Sequence, residues 1–422
     1  MSGWVERSLL WSALLAAACV EQPLVPRIGV PTLDDAGADN FIAVSAGLEH
    51  TCALTADGSA HCWGSNEYGQ LGAVSDTTCP RDDRRIACSL RPVAVNSTVK
   101  FQKISAGGVH TCAIATDSRI YCWGDNLRGP LGDPVFRTSN SPIPLASSAT
   151  FIDVAAGGQH TCGLKANGVM ICWGANDVAQ LGLGTVNVGS AVPDSVRTSL
   201  RFASVSAGGQ RTCARTADGT PFCWGALWVA NVGGGNLIRI QTNPQRVSSS
   251  PSFKSLSVGT NTTCGISIQG STATENQAYC WEANPSGGIG DGTGAGSTRP
   301  QLVRGSASFV AISAGGLQTC AIADTGLAYC WGGDSFGQLG VSSVFLNERC
   351  GEARVPCSTV PVRVSGWRVF SQITAGQGDH ACALTLAGNI FCWGAGGMGQ
   401  RGDGRPSVGE WSPVKTGSPH PL

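Results

Sequence analysis

Cysteine and histidine are the residues of this chain with the most chemistry to offer, and their spacing decides which chemistry that is. In "SAGGVHTCAIATDSRIYCWGDN", residues 105 to 126, two cysteines stand with nine residues between them around a turn. The same interval relates Cys52 to Cys62, Cys112 to Cys122, Cys162 to Cys172, Cys213 to Cys223, Cys320 to Cys330 and Cys382 to Cys392, and a longer loop separates Cys264 from Cys280. Zinc sites want closely spaced Cys or His ligands, whereas a cross-strand bridge wants two opposed positions of a hairpin. The midpoint between Cys52 and Cys62 is Asp57, followed by Gly58. A three-residue loop with glycine in the left-handed position then sets the two thiols face to face, so the spacing favours disulfides over metal.

Five cysteines remain. Cys79 and Cys88 bracket "PRDDRRIA", Cys350 and Cys357 bracket "GEARVP", and Cys19 ends an apolar run. Eighteen cysteines thus fall into nine expected bridges, which implies an oxidising compartment. The N-terminus agrees, because "SLLWSALLAAA", residues 8 to 18, is apolar yet too short to span a membrane. Residues 1 to 18 read as a signal peptide, and the ending "LLAAAC" resembles a bacterial lipobox that would place a lipid on Cys19. Ala16 stands where that motif usually has leucine, so ordinary cleavage after a small residue is the alternative. Residues 19 to 40 read as a flexible linker.

The histidines point away from catalysis. His50, His110, His160 and His380 share one repeat position, where other units carry Arg211, Thr262 and Gln318, and that variation suits neither a shared metal nor a proton relay. A catalytic site needs a nucleophile, a base and an orienting group in one place. No hydrolase or phosphate-loop motif is present, so no enzyme activity and no cofactor are expected.

What must position these residues is a repeat. The segments "FIAVSAGLEHTC" from Phe41, "FQKISAGGVHTC" from Phe101, "FIDVAAGGQHTC" from Phe151 and "FASVSAGGQRTC" from Phe202 are followed by "FKSLSVGTNTTC" from Phe253, "FVAISAGGLQTC" from Phe309 and "FSQITAGQGDHAC" from Phe370. Each opens an alternating strand, then come a turn, a strand such as "TCAI", a tight turn, "IYCWG" and a closing proline-led strand such as "RPVAV". Four short strands repeated seven times predict an all-β, seven-bladed propeller of four-stranded antiparallel blades over residues 41 to 416, with residues 417 to 422 as a tail. The recurring tryptophans Trp63, Trp123, Trp173, Trp224, Trp281, Trp331 and Trp393 are expected to pack blade against blade. The ring is expected to close by pairing of N- and C-terminal strands within one blade.

The recurring order, best seen in "HCWGSNEYGQLG" at 61 to 72 and "YCWGGDSFGQLG" at 329 to 340, resembles the repeat of the regulator of chromosome condensation family. That resemblance implies a seven-bladed propeller. The family's roles range from guanine-nucleotide exchange on a small GTPase to photoreception, ubiquitin-ligase appendages and a secreted inhibitor of a hydrolase. The resemblance therefore carries fold and not function.

Basic and acidic residues cancel at 28 each, which leaves no overall field to hold a nucleic acid or an anionic membrane. Individuality resides in two insertions, 73 to 91 and 341 to 359, at equivalent places and hence on one face. The first carries Arg81, Asp82, Asp83, Arg84 and Arg85; the second carries Glu348, Arg349, Glu352 and Arg354. Bridged loops lose less entropy on binding and arginine favours protein contacts, although solvated decoration explains them equally simply. The Gly-rich "GGIGDGTGAGST" at 287 to 298 reads as a flexible connection. The sequence thus predicts an exported monomer in a bacterial cell envelope or secreted from it, touching membrane only through a lipid anchor and binding a protein or envelope component. The alternatives are a secreted enzyme acting on glycans through its irregular loops and an intracellular exchange-type regulator.

Overall fold

The computed structural model describes residues 39–75, 77–229, 237–268, 276–305, 307–342, 346–351 and 354–418. Its strands form seven separate antiparallel sheets, one per repeat, which together make the predicted seven-bladed propeller. In the first blade the inner strand Phe41–Ala46 pairs with the second, His50–Thr55, then with the third, Ala60–Ser65, and the outer, Arg84–Ala94. The tight turn has the expected form in the six hairpins whose turns are fully described. The Thr55 amide donates to the Ser59 carbonyl at 2.9 Å, and Gly58 sits at a φ of 81°. In the second blade Ser118 takes this left-handed position at 66°.

The core lies between blades. In one junction Leu54, Leu71 and Val95 of the first blade meet Phe101 and Trp123 of the second, the two rings 5.9 Å apart. All seven recurring tryptophans are buried. Each fully buried aromatic contributes on the order of 1.5–3 kcal/mol, so this ring is a substantial part of the apolar stabilisation of the fold. Six indoles also donate to a backbone carbonyl of the preceding blade; Trp123 Nε1, for example, lies 3.0 Å from the Gln70 carbonyl. Gly72 closes that turn at a φ of 64°, and a β-carbon there would lie 2.9 Å from the Trp123 nitrogen, which explains the second glycine of "GQLG".

Inner strands touch inner strands all the way round. At six of the seven junctions a hydroxyl from one accepts an amide from the next, as in Ala106 to Ser45 at 2.9 Å and Ala156 to Ser105 at 3.0 Å, the third blade having Ala155 in place of the hydroxyl. The junction of the seventh blade with the first uses the same bond, Ala46 to Thr374 at 3.0 Å.

This seam corrects the expectation that strands from both termini complete one blade. The outer strand Val414–Lys415 pairs with Ile390–Gly394 of its own repeat, and the first blade finds its outer strand in Arg84–Ala94. Each repeat supplies all four strands of its sheet, so closure needs only the inter-blade contacts that every other junction makes. The ends do meet: Ser418 Oγ donates to Asp39 at 3.0 Å, and Lys415 lies 3.7 Å from the same carboxylate.

The Gly-rich segment is also corrected. "GGIG" at 287 to 290 is the fifth blade's copy of "GQLG", with Ile289 buried and Gly290 against the Trp331 indole. Asn284 braces it by donating to the Thr293 and Ala295 carbonyls at 2.9 and 3.1 Å.

Candidate binding face

Strand direction sorts every connection onto one of two faces. Turns between inner and second strands, and loops between third and outer strands, share one face; the tight turns of the cysteine hairpins and the links between blades share the other. Both insertions lie on the former, which is hereafter the hairpin face.

Each insertion folds as a β-hairpin continuous with an outer strand. In the first blade Thr77–Arg81 pairs with Arg84–Ala94, and the Cys79–Cys88 bridge joins them with Cα atoms 5.8 Å apart. Cys79, Ile86 and Cys88 turn inward and are buried. In the sixth blade Glu348–Cys350 pairs with Val355–Arg363, and Cys350 and Cys357 are bridged at 5.8 Å. Those two cysteines approach Glu348 in a metal-like cluster, but bonded sulfurs have no thiolate to give.

The structure divides the candidate charges into two groups. Arg81 is half buried and ion-paired with both Glu49 and Glu67, while Arg84 reaches Glu67 at 3.0 Å. Arg85 donates to the Thr78 hydroxyl at 2.8 Å. Arg81 and Arg84 fasten the hairpin to its own blade, and Arg85 ties the hairpin's two strands together. Asp82 and Asp83 form the exposed tip, with Asp82 at a φ of 50°. In the second hairpin the Glu348 carboxylate accepts the Thr359 amide at 2.6 Å, and Arg349 donates to the Leu346 carbonyl at 3.2 Å. Arg354 is exposed at a φ of 49°. Glu352 and Cys19 lie outside the described residues. The two hairpins flank the seventh blade, and among the described residues no hydrogen bond or ion pair joins them.

The remaining seven bridges are Cys52–Cys62, Cys112–Cys122, Cys162–Cys172, Cys213–Cys223, Cys264–Cys280, Cys320–Cys330 and Cys382–Cys392. Each joins directly opposed residues of the second and third strands, with Cα atoms 4.0 to 4.1 Å apart. All nine bridges lie within a blade and none links two blades.

The histidines are structural. His50, His110, His160 and His380 are fully buried, and each Nε2 meets a threonine of the next blade at 2.8 to 2.9 Å. Each of those threonines donates onward to a backbone carbonyl, as Thr111 does to Gln70 at 3.0 Å, so the histidine nitrogen is the donor. Burial drives the imidazole pKa down to about 3 in His50, His110 and His380 and to about 4 in His160. The rings are neutral around the propeller, and no two share a partner.

Sequence reasoning passed over two features. At the junction of the fourth and fifth blades Arg211 replaces the histidine, and Glu282 replaces the glycine that follows the tryptophan elsewhere. The two form a buried ion pair, with Glu282 held at a φ of 87° and also accepting from Thr263 at 3.0 Å. The signal was the "CWE" of residues 280 to 282. The second feature is a ribbon on the hairpin face, where Pro221–Val229 and Leu237–Arg246 pair beyond the blade as far as Val229 with Leu237. Ile238 and Ile240 are exposed on it, as are Phe136, Val186 and Val188 on loops of the two preceding blades. Alternation in "LIRI", residues 237 to 240, was the available clue.

Comparison with known proteins agrees with this architecture. The regulator of chromosome condensation (RCC1) repeat matches residues 41–70, 101–129, 151–180, 309–338 and 370–400 in one form, and 57–114, 117–164 and 167–215 in another. The sequence is 30% identical to the ultraviolet-B receptor UVR8 of Arabidopsis thaliana over 373 residues, which cover 86% of this chain and 67% of that one. It is 26% identical to the human E3 ubiquitin-protein ligase HERC2 over 65% of this chain and 6% of that much longer one. Among solved structures, Prp20p of Saccharomyces cerevisiae aligns with a TM-score of 0.70 at 19% identity, covering 90% of this chain and 88% of that one. From repeats, blade topology and relatives together, the chain belongs to the regulator of chromosome condensation (RCC1) repeat family.

Proposed function

We propose that this protein is an exported, lipid-anchored propeller that binds a protein or cell-envelope component through its hairpin face and performs no catalysis of its own. The observation that carries the reading is the pair of disulfide-pinned hairpins. They are irregular additions to a regular scaffold, both fall on one face, and each is stiffened before any partner arrives, which reduces the entropy lost on binding. The nine bridges support an oxidising compartment. The buried histidines are spread over four blades, each bonded to a threonine of the next, where an enzyme would gather its titratable groups. Related propellers bind proteins: the yeast Prp20p structure was described with its binding to Gsp1p and histones, and another shows Kap60 bound to it.

The test is cross-linking in the native envelope. Reversing charge at Asp82, Asp83 and Arg354 is expected to lower recovery of the cross-linked partner about tenfold, the equivalent of about 1.4 kcal/mol. Equal recovery from wild type and the variant would refute the assignment to the hairpin face.

A further inference from the structure

The face opposite the hairpins carries a second set of exposed apolar side chains, and it is where residues 1 to 38 join the propeller. Asn40 accepts the Ala56 amide at 3.0 Å, and the Phe41 amide donates to Gly388 at 3.2 Å, so the chain enters between the tight turns of the first and seventh blades. Leu386, in the seventh blade's tight turn beside this entry, is 64% exposed, and Trp367, on the same face in the link from the sixth blade to the seventh, is 71% exposed. Arg363 lies over the Trp367 ring at 3.7 Å. Six of the seven inner strands open with a β-bulge at the second residue; Ile42 and Val310 occupy that bulge and stand exposed, as Ile152 does at the same repeat position in the third blade, whose strand begins later.

We infer that this face rests on a lipid bilayer. The inference depends on the anchoring proposed above, and three observations on the page commit it to that occupant. The tether enters here and on no other face. Asp39 follows Cys19 by 20 residues, and a coil of that length reaches about 25 Å, which would hold this face near the membrane. An indole capped by a guanidinium is the amphipathic pair that suits the headgroup region, and Leu386 and Ile42 are exposed on the same face. The hairpin face then points away from the membrane, toward whatever the protein binds.

The experiment is flotation of the mature chain bearing Cys19→Ser on vesicles of phosphatidylethanolamine with a minority of phosphatidylglycerol. Removing the acylation site isolates the face from the anchor, and mass analysis of native Cys19 reports on the anchor alone. The Cys19→Ser chain is expected to float with vesicles, and adding Trp367→Ser and Leu386→Ser, both at exposed positions, is expected to lower its bound-to-free ratio about tenfold. Equal ratios for the two chains, or no flotation of either, would overturn the inference.

Discussion

The four buried histidines make acid stability the sharpest test of the inter-blade junctions. An unfolded histidine titrates at about 6.5, whereas these rings in the folded protein are held near 3 or 4 by burial. Between those values the unfolded chain binds more protons than the folded one, so stability falls as pH drops below about 6.5 and levels only near the folded pKa. Each ring costs about 2 kcal/mol by pH 5, and four independent rings cost about 8 kcal/mol. His110→Gln isolates one of them. Glutamine is already used at this position by the sixth blade, where Gln318 donates to the Gly378 and His380 carbonyls at 3.0 Å. Urea unfolding of the oxidised protein, followed by tryptophan fluorescence at about pH 7.5 and pH 5, should show a wild-type loss that shrinks by about 2 kcal/mol in the variant. An unchanged loss in the variant would mean that His110 is protonated without opening its junction, and the reasoning would fail.

Two further substitutions probe single junctions. Asp334 accepts the Leu339 amide at 2.9 Å, but its other buried oxygen has no partner where Asn66, Asn126, Asn176 and Asn284 donate to a carbonyl. Burial pushes its pKa up to about 6, so its stabilising neutral form is lost as pH rises through that value. Asp334→Asn should stabilise the protein by about 1–2 kcal/mol at pH 7.5 and by little at pH 4, as read from urea midpoints. Glu282→Gly strands the buried Arg211 and should cost about 3–5 kcal/mol, while adding Arg211→His should recover most of that loss; a double variant no better than the single would show that the stranded arginine is not the source of the cost.

Much of this was legible because a repeat tests itself. Cys52 opposite Cys62 is a count along one hairpin, and seven hairpins give seven chances for the count to fail. The assignment of Trp123 to an inter-blade core rested on the same recurrence. What escaped was whatever joins blades through unlike residues. Arg211 and Glu282 are 71 positions apart and belong to different repeats, so neither local spacing nor periodicity relates them. Closure was misread for a related reason, since sequence shows which strands a repeat contains but not whether its neighbour needs one of them. Arg81 looked like a binding residue because composition cannot see Glu49, which arrives from a different turn.

The placement of the bridges has one more consequence. Covalent cross-links are confined within blades, whereas the junctions, the one between Thr374 and Ala46 included, are held by non-covalent contacts alone. The ring therefore has no privileged first blade. Joining residue 418 to residue 39, already in contact, and cutting instead at any link between blades would leave every sheet and every disulfide intact. The order of the seven repeats around the ring is fixed by the fold, but the point at which reading begins is not.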